Sequence, residues 1–159
     1  SSLWLAYHDD LADPQSKDSV LRQSSRVCGA VAMGGQTTLD PFLLEKKIGP
    51  ACVQHGMIWK TVGAKSIEDL MENWSKYKAL SLECSPITHV SKDDPPVFLS
   101  YGKPDPVPVI KGDGIHHAGF GRLLKEKCEA VAIPCHLQVK EHETPSLTRA
   151  QFLQELFFK

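Results

Sequence analysis

Two loops carry residue types that could move protons together. The first, Gly102-Lys103-Pro104-Asp105-Pro106-Val107-Pro108, follows the apolar run Val97-Phe98-Leu99-Ser100-Tyr101 and offers a carboxylate at Asp105. The second follows a run from Cys135 to Val139 and contains Glu141-His142-Glu143. A carboxylate can orient an imidazole and stabilise its cation, while the imidazole deprotonates a serine hydroxyl. Acid before histidine is one of the chain orders in which such a triad occurs. Asp113, between Gly112 and Gly114, is a rival acid. Each candidate also has a plainer role, since Asp beside proline or glycine builds turns and a histidine in a charged loop can simply be solvated.

Other groupings offer less. Ser1 and Ser2 lack the glycine-flanked strand-to-helix turn that a nucleophilic serine needs. His116 and His117 are adjacent, so on a helix they diverge and cannot form an i, i+4 metal pair. Gly112-x-Gly114 has neither the lysine nor the preceding strand of a phosphate loop. Cys28, Cys52, Cys84, Cys128 and Cys135 form no CxxC pair, and widely spaced thiols do not make a zinc site. The sequence therefore points to no metal and no cofactor. The thiols read as small buried apolar residues, which favours a reducing, cytoplasmic setting without deciding localisation.

The elements that must hold these loops follow from hydrophobic spacing. Leu3, Trp4, Tyr7 and Leu11 share a helix face over residues 3–11, with Asp13-Pro14 as the stop. Residues 27–33 form an apolar run with both faces apolar, the pattern of an interior strand in a parallel sheet. Asp40-Pro41 predicts an N-cap and a helix to about Lys47. Residues 48–63 show no period and read as a loop or lid-like insertion. Ser66 and Asp69 make a capping-box-like pair ahead of a helical face of Ile67, Leu70, Met71 and Trp74. Val97–Tyr101 is a second strand. Phe120, Leu123, Leu124, Cys128 and Val131 mark a helix, and Cys135, Leu137 and Val139 alternate as in a half-exposed strand near a sheet edge. Thr148 and Gln151 form a capping box for a last helix.

Strands separated by helices predict an α/β fold in three layers, a mostly parallel sheet with helices on both faces. An interior first strand requires a partner on each side, so one flank of the sheet is expected from elsewhere.

The chain of 159 residues has 18 basic and 19 acidic residues and a net charge of −1. That balance excludes a basic nucleic-acid footprint. No apolar run approaches the roughly 20 residues of a membrane span, so no membrane is expected as a partner.

From Ser85 onward the sequence resembles the C-terminal part of α/β-hydrolase esterases and lipases of the acetyl-esterase and feruloyl-esterase group. Ser85-Pro86-Ile87-Thr88-His89-Val90 and Asp94-Pro95-Pro96-Val97-Phe98-Leu99 resemble the family's approach to its acid strand. Gly102 to Pro108 is similar to its acid loop, and His142 stands where the family carries its histidine. Ser1 to Asp10 resembles the helix that follows the G-x-S-x-G nucleophile elbow, and residues 27–33 the next strand. The pattern departs in having Tyr101 where the family usually has histidine and Lys140-Glu141 ahead of His142; residues 109–117 look like an insertion.

The resemblance implies a carboxylic-ester hydrolase of the serine type, acting on a small ester, with Asp105 as acid (Asp113 the alternative) and His142 as base. It places the nucleophile and the oxyanion loop before Ser1. Residues 1–159 are then expected as one partial domain, completed by an N-terminal half, a second chain or a second copy in a homo-oligomer. Two other readings compete. One is a non-catalytic α/β domain that self-assembles or binds a partner through an open sheet edge. The other is a flavodoxin-like small-ligand binder, weakened by only three strands and no phosphate loop.

Overall fold

The structure is a computed structural model and describes residues 1–102, 111–140 and 143–158. In chain order its elements are α1 (Ser2–Tyr7), β1 (Ala30–Met33), α2 (Pro41–Lys47), α3 (Pro50–Val53), α4 (Gly56–Lys60), α5 (Ile67–Glu72) and α6 (Trp74–Glu83). There follow α7 (Pro86–His89), β2 (Val97–Tyr101), α8 (Lys111–Gly114), α9 (Gly119–Ala130), β3 (Cys135–Val139) and α10 (Arg149–Phe157). No helix among the described residues is long and apolar enough to cross a membrane.

The three strands form one parallel sheet in the order β1-β2-β3, an α/β fold. Central β2 is the most buried, with Val97, Phe98 and Leu99 fully enclosed. Its side chains alternate between two helical layers. On one face Tyr101 meets α9, where a Cβ on Gly121 would lie 2.4 Å from the Tyr101 ring. α1 joins that layer, its Tyr7 hydroxyl 3.3 Å from the Cys128 sulfur of α9. On the other face Phe98 packs 5.9 Å from the Phe152 ring of α10, which also meets His136 of β3 at 5.6 Å.

Local chemistry explains the element ends. Asp40 caps α2 by accepting from Phe42 N and Leu43 N at 2.9 and 3.1 Å, with Pro41 in the first turn. Thr148 and Gln151 complete the expected capping box of α10. The sheet's amino end is set by prolines, since Ala30 N donates to Pro96 O and Val97 N to Pro134 O. Just before β2, Asp94 is almost enclosed, accepts from Ser91 N at 2.7 Å and pairs with Arg26 at 3.3 Å.

Four expectations need correction. The interior strand predicted over residues 27–33 is shorter, and among the described residues it pairs only with β2. Cys28 is exposed and Met33 is 70% exposed, and the outer edge of β1 carries no strand among the described residues. The helix at 3–11 ends at His8, whose extended backbone turns away. Beyond it Asp10 binds Ala12 N and Ser25 N, local bonds that compete with helix propagation. The helix after Ser66 breaks at Asn73, whose side chain returns to Asp69 at its carbonyl and carboxylate. Finally, residues 48–63 hold α3 and α4, with Ile48, Cys52, Val53, Ile58 and Val62 in the core. One-turn helices are too short to print a period in the sequence.

Candidate functional site at the carboxyl edge of the sheet

In a parallel α/β sheet the loops that leave the carboxyl ends of the strands form the ligand-binding edge. Here that edge is built by three interlocked loop starts. After β1 the chain turns at Gly34, where φ is +57° and the amide donates to Ser100 O at 2.8 Å. A left-handed residue without a Cβ is needed, because a Cβ would lie 3.2 Å from His116 Nδ1. The segment from Gly35 to Leu39 is then pinned from several directions. Thr37 Oγ1 donates to Phe120 O at 2.7 Å, and Ile87 N donates to Thr37 O at 3.0 Å. Ser85 Oγ accepts from Leu39 N at 2.8 Å and donates to Ser81 O at 2.6 Å. These groups are buried, so each bond satisfies a donor or acceptor that water cannot reach.

β2 ends in Tyr101, which is 2% exposed and donates its hydroxyl to Gly35 O at 2.7 Å. Burial pushes its phenol well above the ordinary range, so the group stays a protonated donor. Tyr101 thus joins the carboxyl ends of β1 and β2, a structural role at a position where the resemblance leads one to expect histidine.

β3 ends beside it. Lys140 N donates to Tyr101 O at 3.1 Å. Val139 and Glu143 exchange two backbone bonds of 2.9 and 3.0 Å, an antiparallel bridge. The Glu143 carboxylate accepts from Arg122 Nε at 2.6 Å, fastening Glu143 to the first turn of α9. Both residues flanking the Glu141-His142 dipeptide are therefore held in place by the fold.

Asp105, Glu141 and His142 lie outside the described residues. Asp113 falls in α8, a one-turn helix rather than a glycine turn, and its side chain is likewise not described. α8 is pressed onto α3: a Cβ at Gly114 would sit 2.6 Å from Cys52 Cα. The two loops predicted to bear acid and histidine leave adjacent parallel strands at paired residues, Tyr101 and Val139.

Two cavities flank the Arg122–Glu143 pair. One of about 390 Å³ is lined by Lys47, Ile48, His117, Gly119, Arg122 and Glu126, among others. The other, about 400 Å³, includes Lys125, His136, Glu143 and Ser146. Arg122 lines the first and Glu143 the second, so the ion pair stands between them. The second is also lined by Cys135, whose thiol is not poised for attack. Cys52 is buried and its thiol is pushed up to about 12, which keeps it protonated. Cys128 and Cys135 hydrogen-bond each other, with Cys135 held well above the usual thiol range. Cys135 is the first residue of β3.

Among the described residues, one grouping of His, Cys, Asp or Glu has metal-binding spacing: His8, Glu83 and His89. Sequence spacing gives no sign of it, because His8 is far along the chain from Glu83 and His89.

No family model matches the sequence, and no curated protein matches it. A solved structure shares the fold. An acetyl ester-xyloside bifunctional hydrolase from Caldicellulosiruptor lactoaceticus superimposes with a TM-score of 0.52 at 20% identity, covering 99% of this chain. A truncated form of carbohydrate esterase from gut microbiota gives a TM-score of 0.49 at 17% identity over 87% of this chain. In both cases the chain spans 46% of the other protein's length.

Proposed function

We propose that this chain is the C-terminal part of a serine-type carboxylic-ester hydrolase whose catalytic edge is the carboxyl edge of the β1-β2-β3 sheet. The observation that carries the reading is the register of β2 and β3. Their parallel pairing ends the two strands that precede Asp105 and His142 side by side, with Lys140 N bonded to Tyr101 O. The fold shared with an acetyl ester-xyloside hydrolase supports it.

In this reading a serine outside residues 1–159 attacks the ester carbonyl. His142 accepts the serine proton through its imidazole and returns it to the departing alcohol. Asp105, with Asp113 as the alternative, holds the imidazole in the reactive tautomer and stabilises its cation. Backbone donors near the serine would take the charge of the tetrahedral oxyanion. The Glu143–Arg122 ion pair and the Val139–Glu143 bridge hold the chain that flanks His142. The substrate class is a small ester of a carbohydrate hydroxyl, an acetylated sugar in the first instance.

A second reading draws on β1. Its outer edge has no strand partner among the described residues, so a non-catalytic domain could pair there with another copy. Release of acetate from p-nitrophenyl acetate, measured on the chain alone and on the protein from the complete open reading frame, separates the two. Turnover confined to the complete protein is the expected result. A stable dimer of the chain, with no turnover by either form, would favour the second reading.

A further inference from the structure

We propose that His8, Glu83 and His89 form a binding site for a borderline divalent transition metal, zinc(II) foremost. The site is independent of the hydrolase reading. It lies where three helices end: His8 caps α1, Glu83 is the last residue of α6, and His89 is the last residue of α7. α1 begins near the carboxyl edge and runs back across the sheet, so this cluster sits at the far end of that helix.

Three observations support a metal site over a casual surface cluster. First, one ligand atom from each residue lies within 4.8 Å of the other two. A tetrahedral zinc with bonds of about 2.0–2.1 Å sets its ligand atoms about 3.3 Å apart. His8 Nε2 and Glu83 Oε1 are already 3.4 Å apart, so a small side-chain rotation would complete the geometry.

Second, each imidazole has its other nitrogen on a backbone carbonyl. His8 Nδ1 lies 3.2 Å from Asp9 O, and His89 Nε2 lies 2.8 Å from Glu83 O. Placing the N–H on those atoms leaves the lone pair of His8 Nε2, which faces Glu83 Oε1 at 3.4 Å, free for a metal, and leaves His89 Nδ1 as the nitrogen that would have to bind. Metal-ligating histidines are oriented in this way, by a carbonyl or carboxylate behind the ring.

Third, the cluster is held from outside. The Trp4 indole donates to Glu83 O at 2.9 Å, and its ring lies 4.1 Å from the His8 ring. The two imidazoles are 5.0 Å apart. Two imidazoles and one carboxylate suit zinc better than magnesium or calcium, which prefer all-oxygen shells. Three protein ligands leave a fourth position for water. A bound ion would tie the end of α1 to α6 and α7, fixing a helix that touches β1 and α9.

The competing explanation is a His8–Glu83 ion pair with no metal. Calorimetric titration of the metal-stripped full chain with zinc sulfate distinguishes them, paired with its thermal midpoint with and without zinc. One equivalent bound, with a raised midpoint, is expected. Glu83→Gln and His89→Gln should each weaken that binding by at least about tenfold, as loss of a ligand exceeds the roughly 10–100-fold typical of its supporting bonds. The Glu83 side chain is 50% exposed, so its variant should fold, which far-UV circular dichroism verifies. Cobalt(II) in place of zinc should give visible absorption of a four-coordinate ion without a thiolate charge-transfer band. No bound equivalent in the wild type, binding undiminished in both variants, or a thiolate band would each overturn the proposal.

Discussion

The Tyr101 hydroxyl donates to the Gly35 carbonyl over 2.7 Å, binding the carboxyl end of β2 to the first residues after β1. The ring is buried, while the acceptor belongs to half-buried Gly35, so the bond contributes as an ordinary intramolecular hydrogen bond. Tyr101→Phe keeps the ring and removes the donor. The expected cost is about 0.5–1.5 kcal/mol, read as a lowered midpoint in urea denaturation. A variant as stable as the parent would show that the loop does not depend on this bond.

Gly121 tests the packing of α9 on the sheet. In an exposed helix, Gly→Ala gains about 1 kcal/mol. Here the added Cβ meets the Tyr101 ring at 2.4 Å and Leu137 Cδ1 at 2.8 Å. Overpacking of this kind costs about 1–3 kcal/mol. Gly121→Ala should therefore be net destabilising in the same denaturation experiment, and a stabilising result would mean that α9 stands off the sheet.

Ser85 joins three segments through one hydroxyl. Ser85→Ala leaves Leu39 N, buried with its neighbours, without an acceptor. A loss of about 1–3 kcal/mol follows. Amide hydrogen exchange offers a sharper readout, since protection at Leu39 should fall selectively.

Asp10 predicts a pH dependence. Its carboxylate accepts from Ser24 Oγ at 2.7 Å, Ser25 N at 2.9 Å and Ala12 N at 3.0 Å. These bonds lower its pKa from 3.8 to about 2. A depressed carboxyl contributes stability that is fully present above its unfolded value and lost as pH falls through the folded one. The stability difference between wild type and Asp10→Asn should thus be constant above pH 3.8 and shrink towards pH 2. Chemical denaturation at a series of pH values measures it, and a difference that grows on acidification would reverse the assignment.

The sequence made β2 and β3 legible because prolines and glycines bracket Val97–Tyr101 and because Leu137 and Val139 alternate with exposed Gln138. Asp40 and Thr148 identified their helices because capping is a local interaction that a few residues specify. What was hidden was non-local. Residues 27–33 have an interior composition, yet only the strand order shows that β1 is an edge among the described residues. The break at Asn73 depends on side-chain bonds to Asp69 that a helical period does not register. The buried Ser81–Ser85–Leu39 chain and the His8–Glu83–His89 cluster join residues more than 40 positions apart. For the candidate site, the strand ends that precede both loops are readable, and Tyr101 stands out only as a departure from the pattern the sequence resembles. Its bond to Gly35 explains it.

The two candidate acids can be separated by substitution in the complete protein. Asp105→Asn should lower kcat for p-nitrophenyl acetate by about 10⁴-fold, as loss of the orienting carboxylate does in such triads, with Asp113→Asn near the parent. The reverse pattern would move the role to Asp113.

The central claim rests on His142 as the proton carrier at the carboxyl edge. Its most direct test is kcat/KM for acetate-ester hydrolysis by the complete protein and by its His142→Ala variant. The account predicts a loss of at least about a thousandfold, with the fold retained. Activity within tenfold of the parent would contradict it.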